Sequence, residues 1–241
     1  MATYQQPNVI QVIQENQTAN GLAVIISNSY DDCRTLETLS GTKTDGERMK
    51  CSFQMLNFST YHQHNLPKGA TMELLHHVVD HRRFPSSYKR IVFVFSGHGG
   101  ADHKLYTGDG ETVKVSDILS AFLPERAPLN GSIPKLFFID ACRGKKANAG
   151  VMVPRSGKEI ETLVIPEQGN FLVAYSTLPD YLSYEERAKG GIWITVLAEK
   201  LCHRDASIHD ILTEVNKELL NKYQKPSYAG FMQQPEFLST K

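Results

Sequence analysis

Two residues of this chain combine a reactive side chain with a place where chemistry is usually done: His98 and Cys142. Each stands just beyond a short apolar run. Ile91-Val-Phe-Val-Phe95 breaks into Ser96-Gly97-His98-Gly99-Gly100, and Lys135-Leu-Phe-Phe-Ile-Asp140 breaks into Ala141-Cys142-Arg143-Gly144. Short runs rich in β-branched and aromatic residues read as strands buried on both faces of a parallel sheet. In such sheets ligands bind where the carboxyl ends of strands meet loops. A cysteine and a histidine so placed form a nucleophile–base pair: the thiolate attacks a carbonyl and the imidazolium protonates the departing amine. Turn N–H groups and the positive charge of Arg143, Lys145 and Lys146 favour thiolate at Cys142. Gly99 lets a backbone N–H approach the developing oxyanion, together with the N–H of Cys142. Either residue alone also fits a structural reading, a buried cysteine or a strand-capping histidine. Together they point to a cysteine hydrolase.

The elements that must position this pair alternate between strand and helix. Leu22–Ile26 is a strand, Ser27–Thr44 a polar loop, and Asp45–Phe58 a helix with Met49, Phe53 and Leu56 facing inward. Tyr61–Leu66 reads as a short strand, and Pro67 opens a helix that continues over Thr71–Phe84. Val115–Leu123 is a short helix, Asn170–Tyr175 a strand, and Ile192–Leu201 and Ile208–Leu220 are helices. Gln233–Leu238 suits an edge strand, where Pro235 is tolerated. Residues 1–20, rich in Gln and Asn, form a loose lead-in with a short strand at Val9–Ile13. The alternation argues for one α/β domain over 21–241.

Composition removes several function classes. The 241 residues carry 26 basic and 26 acidic side chains, so no basic stripe points to nucleic acid. The longest apolar runs are too short to span a bilayer, and residues 1–7 lack the features of a secretory signal. The four cysteines, at 33, 51, 142 and 202, show no CxxC spacing for zinc or a disulfide framework. A reduced, cytoplasmic setting is the simplest expectation. His76, His77 and His81 share a helix, yet without a glutamate in HExxH spacing they read as surface or boundary residues. The turn Gly108-Asp109-Gly110 lacks the Gly-Lys-Ser/Thr ending of a phosphate loop. No metal and no cofactor are expected.

Ser96-Gly97-His98-Gly99 and Asp140-Ala141-Cys142-Arg143-Gly144 resemble the paired signatures of the caspase family, whose cysteine motif usually reads Gln-Ala-Cys-Arg-Gly. The resemblance runs from about Gly21 to the C-terminus. Ser40-Gly41-Thr42 and Asp45 match the loop after the first strand. Ala174-Tyr175-Ser176-Thr177, Asn216 and Gln234-Pro235 match the small-subunit half. It implies a three-layer α/β/α sandwich with a mostly parallel central sheet, divided into a large-subunit-like part (21–143), a linker (144–169) and a small-subunit-like part (170–241). It also implies protein or peptide substrates, a homodimer formed near the last strand, and a role in cell death or immune signalling. Calcium dependence and a recruitment domain before residue 1 are left open.

The departures from the family pattern concern specificity. The caspase pocket that receives aspartate is basic, but here the arginine before the Ser-Gly-Thr loop is Leu39. The glutamine of the cysteine motif is Asp140, and the arginine of the Ser-Trp-Arg segment falls at Glu185, within Ser183-Tyr184-Glu185. A pocket lined by Asp140 and Glu185, helped by Asp45, would repel a carboxylate and bind a cation. Guanidinium matches carboxylate bidentately, so cleavage after Arg is expected in preference to Lys, as in paracaspases and metacaspases. Ser183 and Tyr184 fall where caspases pair with substrate backbone as an added strand. From Arg143 to Pro179 there is no aspartate, while Arg155 and Lys158 offer basic sites for self-cleavage. Two alternatives remain open: an aspartate-specific caspase with a rebuilt pocket, and a catalytically inactive caspase-like scaffold.

Overall fold

The computed structural model describes residues 18–79, 88–123, 133–146, 163, 165, 170–186, 188–202, 206–223 and 233–240. The expected strand at Val9–Ile13, the end of the helix predicted to reach Phe84, and most of the linker lie outside them. Strand β1 (Gly21–Ser27) leads through a long loop into helix α1 (Thr42–Met55) and strand β2 (Phe58–His64). Helix α2 (Lys68–Val79) and strand β3 (Ile91–Ser96) follow. The segment read as glycine-rich loop after β3 contains a small hairpin, β4 (Lys104–Tyr106) and β5 (Thr112–Lys114), which runs into α3 (Val115–Ala121).

Strand β6 (Lys135–Asp140) then crosses the centre of the sheet. A short β7 (Gly144–Lys146) follows, and β8 (Phe171–Tyr175) returns beside β6. The loop expected over 176–189 is partly ordered as β9 (Asp180–Tyr181), paired with β7, and β10 (Glu185–Glu186), paired with β11 (Gly190–Gly191). Helices α4 (Ile192–Leu201) and α5 (Ile208–Tyr223) and strand β12 (Glu236–Ser239) complete the described chain.

The six-stranded sheet runs β12-β8-β6-β3-β1-β2, parallel throughout except for antiparallel β12 at one edge. Alternation along β1 explains the layers. Leu22, Val24 and Ile26 face a core covered by α2 and α3, whereas Ala23 and Ile25 face one covered by α1, α4 and α5. Leu74, Leu75, Val78, Ile118 and Leu119 fill the first core; Met49, Phe53, Trp193, Val196 and Val215 fill the second. Both faces of the central strands are therefore dry, which is why their sequences are continuously apolar.

Helix α1 starts three residues before the expected Asp45 and stops at Met55, because Asn57 takes the left-handed conformation (φ 59°). Phe58 is thereby released to open β2.

Register decides what the sheet presents at its carboxyl edge. Ser27 pairs with His64 on one side and Ser96 on the other, and Ser96 pairs with Asp140. Four strand ends thus place His64, Ser27, Ser96 and Asp140 abreast, and the reactive turns spring from this row.

Candidate active site

His98 and Cys142 line one cleft of about 90 Å³ above the ends of β3 and β6, together with Leu39, Thr42, Asp45, Asp140, Tyr184 and Glu185. The two turns pack tightly. A Cβ on Gly99 would lie 2.2 Å from the carbonyl oxygen of Cys142, so only glycine admits this approach. His98 and Gly100 use their backbone groups in an antiparallel bridge: the Tyr106 N–H donates to His98 O (3.0 Å) and the Gly100 N–H to Lys104 O (3.0 Å). Gly99 is the non-hydrogen-bonded residue of that bridge, so its N–H points away from β4.

The histidine is held by groups with no signature in the sequence. The Tyr30 hydroxyl accepts the His98 N–H (2.8 Å) and donates to Tyr106 O (2.7 Å), and its ring packs 4.8 Å from the imidazole. Tyr30 adopts a left-handed φ of 64° and is 1% exposed, an arrangement a bulky residue keeps only when its surroundings enforce it. Burial pushes its phenol well above the usual range, so it is neutral. On the other side, His98 Nε2 lies 2.7 Å from the carbonyl oxygen of Glu37. A backbone carbonyl only accepts, so it fixes the proton on Nε2 as a carboxylate would when the ring is neutral.

Cys142 differs from its expected state. Its thiol is pushed up, chiefly by burial and also by the neighbouring Asp140; the Ser183 N–H, 3.4 Å from Sγ, works in the opposite direction. Arg143 does not compensate. Its guanidinium turns inward over the Tyr175 ring (4.0 Å), donates to Thr177 O (3.1 Å) and pairs with Glu236 (2.6 Å). Burial of an arginine is tolerable only with such partners, so its charge is committed away from the sulfur. Lys145 is exposed.

Three acidic residues line the same cleft. Asp45 is 1% exposed; it accepts hydrogen bonds from the Ser96 hydroxyl and the Gly191 N–H (each 3.0 Å), with Arg48 at 3.4 Å. Burial, then the charge of Asp140, raises its carboxyl to about 7. Asp140 is buried beside it, accepts from the Ser183 hydroxyl (2.7 Å), and is pushed up by desolvation. Glu185, half-buried, is raised by desolvation and by the charges of Asp140 and Glu37. Among the described residues, those lining the cleft include three carboxylates and no lysine or arginine.

Ser183 and Tyr184 are engaged internally. Ser183 O lies 3.7 Å from Cys142 Sγ, and the Tyr184 N–H donates to Gln233 Oε1 (3.1 Å). Gln233 also donates to Ser176 O (2.9 Å) and to the Ser183 hydroxyl (3.1 Å). The inward-turned residue is therefore Gln233; Gln234, the one read from the sequence, is exposed. Asn216 lies on α5, away from the cleft. Arg155, Lys158 and His81 lie outside the described residues. His77 Nδ1 sits 2.9 Å from Glu73 O, and among the described residues no group of three or more His, Cys, Asp or Glu is arranged to hold a metal. Among them, too, no helix is long and apolar enough to cross a membrane.

Residues 20–241 match the family model described as a caspase domain. The chain belongs to the caspase family. It is 30% identical over 212 residues to Caspase-3 of Bos taurus, covering 85% of this chain and 74% of that one. With Caspase-1 of Spodoptera frugiperda it shares 25% over 201 residues, 82% and 66% of the respective chains. The crystal structure of Caspase-1 from Spodoptera frugiperda shares the fold, with a TM-score of 0.76 over 93% of this chain and 88% of that one at 24% identity. As a caspase-family protein the chain is a hydrolase of the cysteine-endopeptidase type. The three-layer sandwich expected from the motifs is the observed architecture.

Proposed function

We propose that this caspase-family protease cleaves polypeptides after basic residues, arginine before lysine, with Cys142 as nucleophile and His98 as acid–base. The observation that carries the reading is the cleft beside Cys142, where Asp45, Asp140 and Glu185 converge and, among the described residues, no lysine or arginine joins the lining, Arg48 reaching Asp45 from outside that set. Their carboxyls are raised chiefly by desolvation, to which the charge of Asp140 adds at Asp45 and Glu185, and the opposite charge of an entering guanidinium offsets both. A carboxylate in the same place would add a fourth like charge. Each charge-assisted hydrogen bond contributes about 1.5–3 kcal/mol.

In the proposed reaction the Cys142 thiol passes its proton to His98 as the sulfur attacks, with the N–H groups of Gly99 and Cys142 supporting the oxyanion. His98 then protonates the leaving amine, and water releases the acyl group. The peptide adds as a strand along Ser183–Tyr184, exchanging the contacts those residues make with Cys142 and Gln233. Self-cleavage at Arg155 or Lys158, dimerisation through the β12 edge and a role in cell death belong to the same proposal. Strands β6 and β8 pair within one sheet, so a cut between them would leave the halves associated.

The test is hydrolysis of matched fluorogenic peptides ending in Arg, Lys or Asp. Arg cleavage, lost in Cys142→Ala, is the expected result. Cleavage only after Asp overturns the pocket assignment and leaves the mechanism standing.

A further inference from the structure

A second polar assembly occupies the other end of the strand-end row, and the protease reading does not use it. The Ser27 hydroxyl bridges two imidazoles, lying 2.9 Å from His62 Nε2 and 2.9 Å from His64 Nδ1. His62 Nδ1 reaches Glu47 Oε1 at 3.0 Å, and His64 Nε2 reaches the Ser29 hydroxyl at 3.0 Å. Ser29 in turn donates to the Asp31 carboxylate. Helix α1 makes room for this chain: a Cβ on Gly46 would lie 2.1 Å from His62 Nε2 and 2.9 Å from Ser27 Oγ. The order Glu47–His62–Ser27 is that of a serine nucleophile triad, but Ser27 is completely buried and no substrate reaches it.

The chain abuts the seat of His98. Asn65 Oδ1 accepts the N–H groups of Ser29 (2.7 Å) and Tyr30 (3.1 Å), which fixes its amide so that Nδ2 donates to Ser29 Oγ (3.0 Å). Tyr30 holds His98, and Glu37 follows in the same loop.

Counting hydrogens exposes a deficit. The five links from Glu47 to Asp31 need one hydrogen each, and both ends are carboxylates, which only accept. Two hydroxyls and two neutral imidazoles bring four. We propose that Glu47, His62, Ser27, His64, Ser29 and Asp31 form a one-proton positioning relay for the loop that seats His98, closed only when one imidazole carries a second proton. The charged groups facing the rings are Glu47, Lys43 and Lys50 from α1 and Asp31 from the loop. Burial pushes both imidazoles down, Glu47 raises His62, Asp31 raises His64, and the lysines oppose uptake. The proton therefore enters below the ordinary histidine value of about 6.5, and once bound it keeps the other ring neutral. Without it, the link to the exposed Glu47 opens, since water and Lys50 (3.6 Å) compete there.

The experiment is imidazole NMR titration of the whole chain between pH 5 and pH 8.5, on the wild type and on Glu47→Gln. The glutamine amide supplies the fifth hydrogen from one end, as Asp31→Asn would from the other, and closes the chain with both rings neutral. In the wild type His62 and His64 should take up one proton between them; in Glu47→Gln that uptake should move about one pH unit lower or vanish. Two independent full titrations in the wild type, or a titration unchanged in Glu47→Gln, would overturn the relay. The positioning role is read as the ratio of wild-type to Glu47→Gln kcat/KM on the cleaved peptide, which should bend at the pH where NMR reports uptake. A flat ratio overturns that role. This second arm rests on the proposed protease activity; coupled titration in a chain that cleaves no peptide keeps the relay and removes the substrate reading.

Discussion

The carboxyl edge of one sheet carries two polar clusters that solve burial in opposite ways. At the β3–β6 end, Asp45, Asp140 and Glu185 crowd one cleft, and their carboxyls are all raised, chiefly by desolvation, despite the donors that Asp45 and Asp140 find. At the β1–β2 end, every ring nitrogen and hydroxyl of His62, His64, Ser27 and Ser29 lies within hydrogen-bond distance of a partner in the protein, with one hydrogen fewer than the links require while both rings are neutral. Crowding like charges in a buried site is costly, whereas a connected network of neutral groups is tolerated. Under the proposed function, the first cluster receives a cationic side chain, and under the proposed relay the second holds the loop beneath His98. Arg143 sharpens the point, because this cation, three residues after Asp140, is spent on Tyr175 and Glu236.

The largest expected effect breaks the cleft outright: Cys142→Ala should lower turnover by at least about 10^4-fold, measured with the peptide of best cleavage. Glu185→Gln keeps the shape and removes one charge-assisted contact. It should lower kcat/KM for arginyl peptides roughly 10- to 100-fold, and leave aspartyl peptides no worse. Equal losses for both peptides would remove Glu185 from the pocket.

On the partnered side, Gly46→Ala drives a methyl into His62 and should destabilise the fold by about 1–3 kcal/mol, read by denaturant unfolding. A neutral result would show that α1 shifts freely from β2. The smallest effect is a pH slope. Asp45 has a folded value of about 7, above its unfolded one, so the folded state binds more protons between the two values and stability falls as pH rises through that window. Asp45→Asn removes the penalty, so its Tm relative to wild type should be higher at pH 8 than at pH 5. A pH-independent difference would mean that Asp45 is ionised throughout.

Much of this was legible from residue types. The apolar runs of β1, β3, β6 and β8 named the sheet, and the two motifs at the ends of β3 and β6 named the family. Substitution to Leu39, Asp140 and Glu185 announced a pocket of altered charge, because side-chain charge is written in the sequence. What holds His98 was not legible. The Glu37 contact is a backbone carbonyl common to every residue, and Tyr30 acts through a left-handed backbone that its identity disfavours. Arg143 read as a support for the thiolate until packing turned it inward. The hairpin β4–β5 hid in a glycine-rich stretch because its strands are three residues long.

The sequence by itself determined the layers, the family and the sign of the cleft, since periodicity, motif and charge are local properties. Only the tertiary structure decided the row of His64, Ser27, Ser96 and Asp140. Register brings together residues that are separated by up to 113 positions and carry no mark of their neighbours.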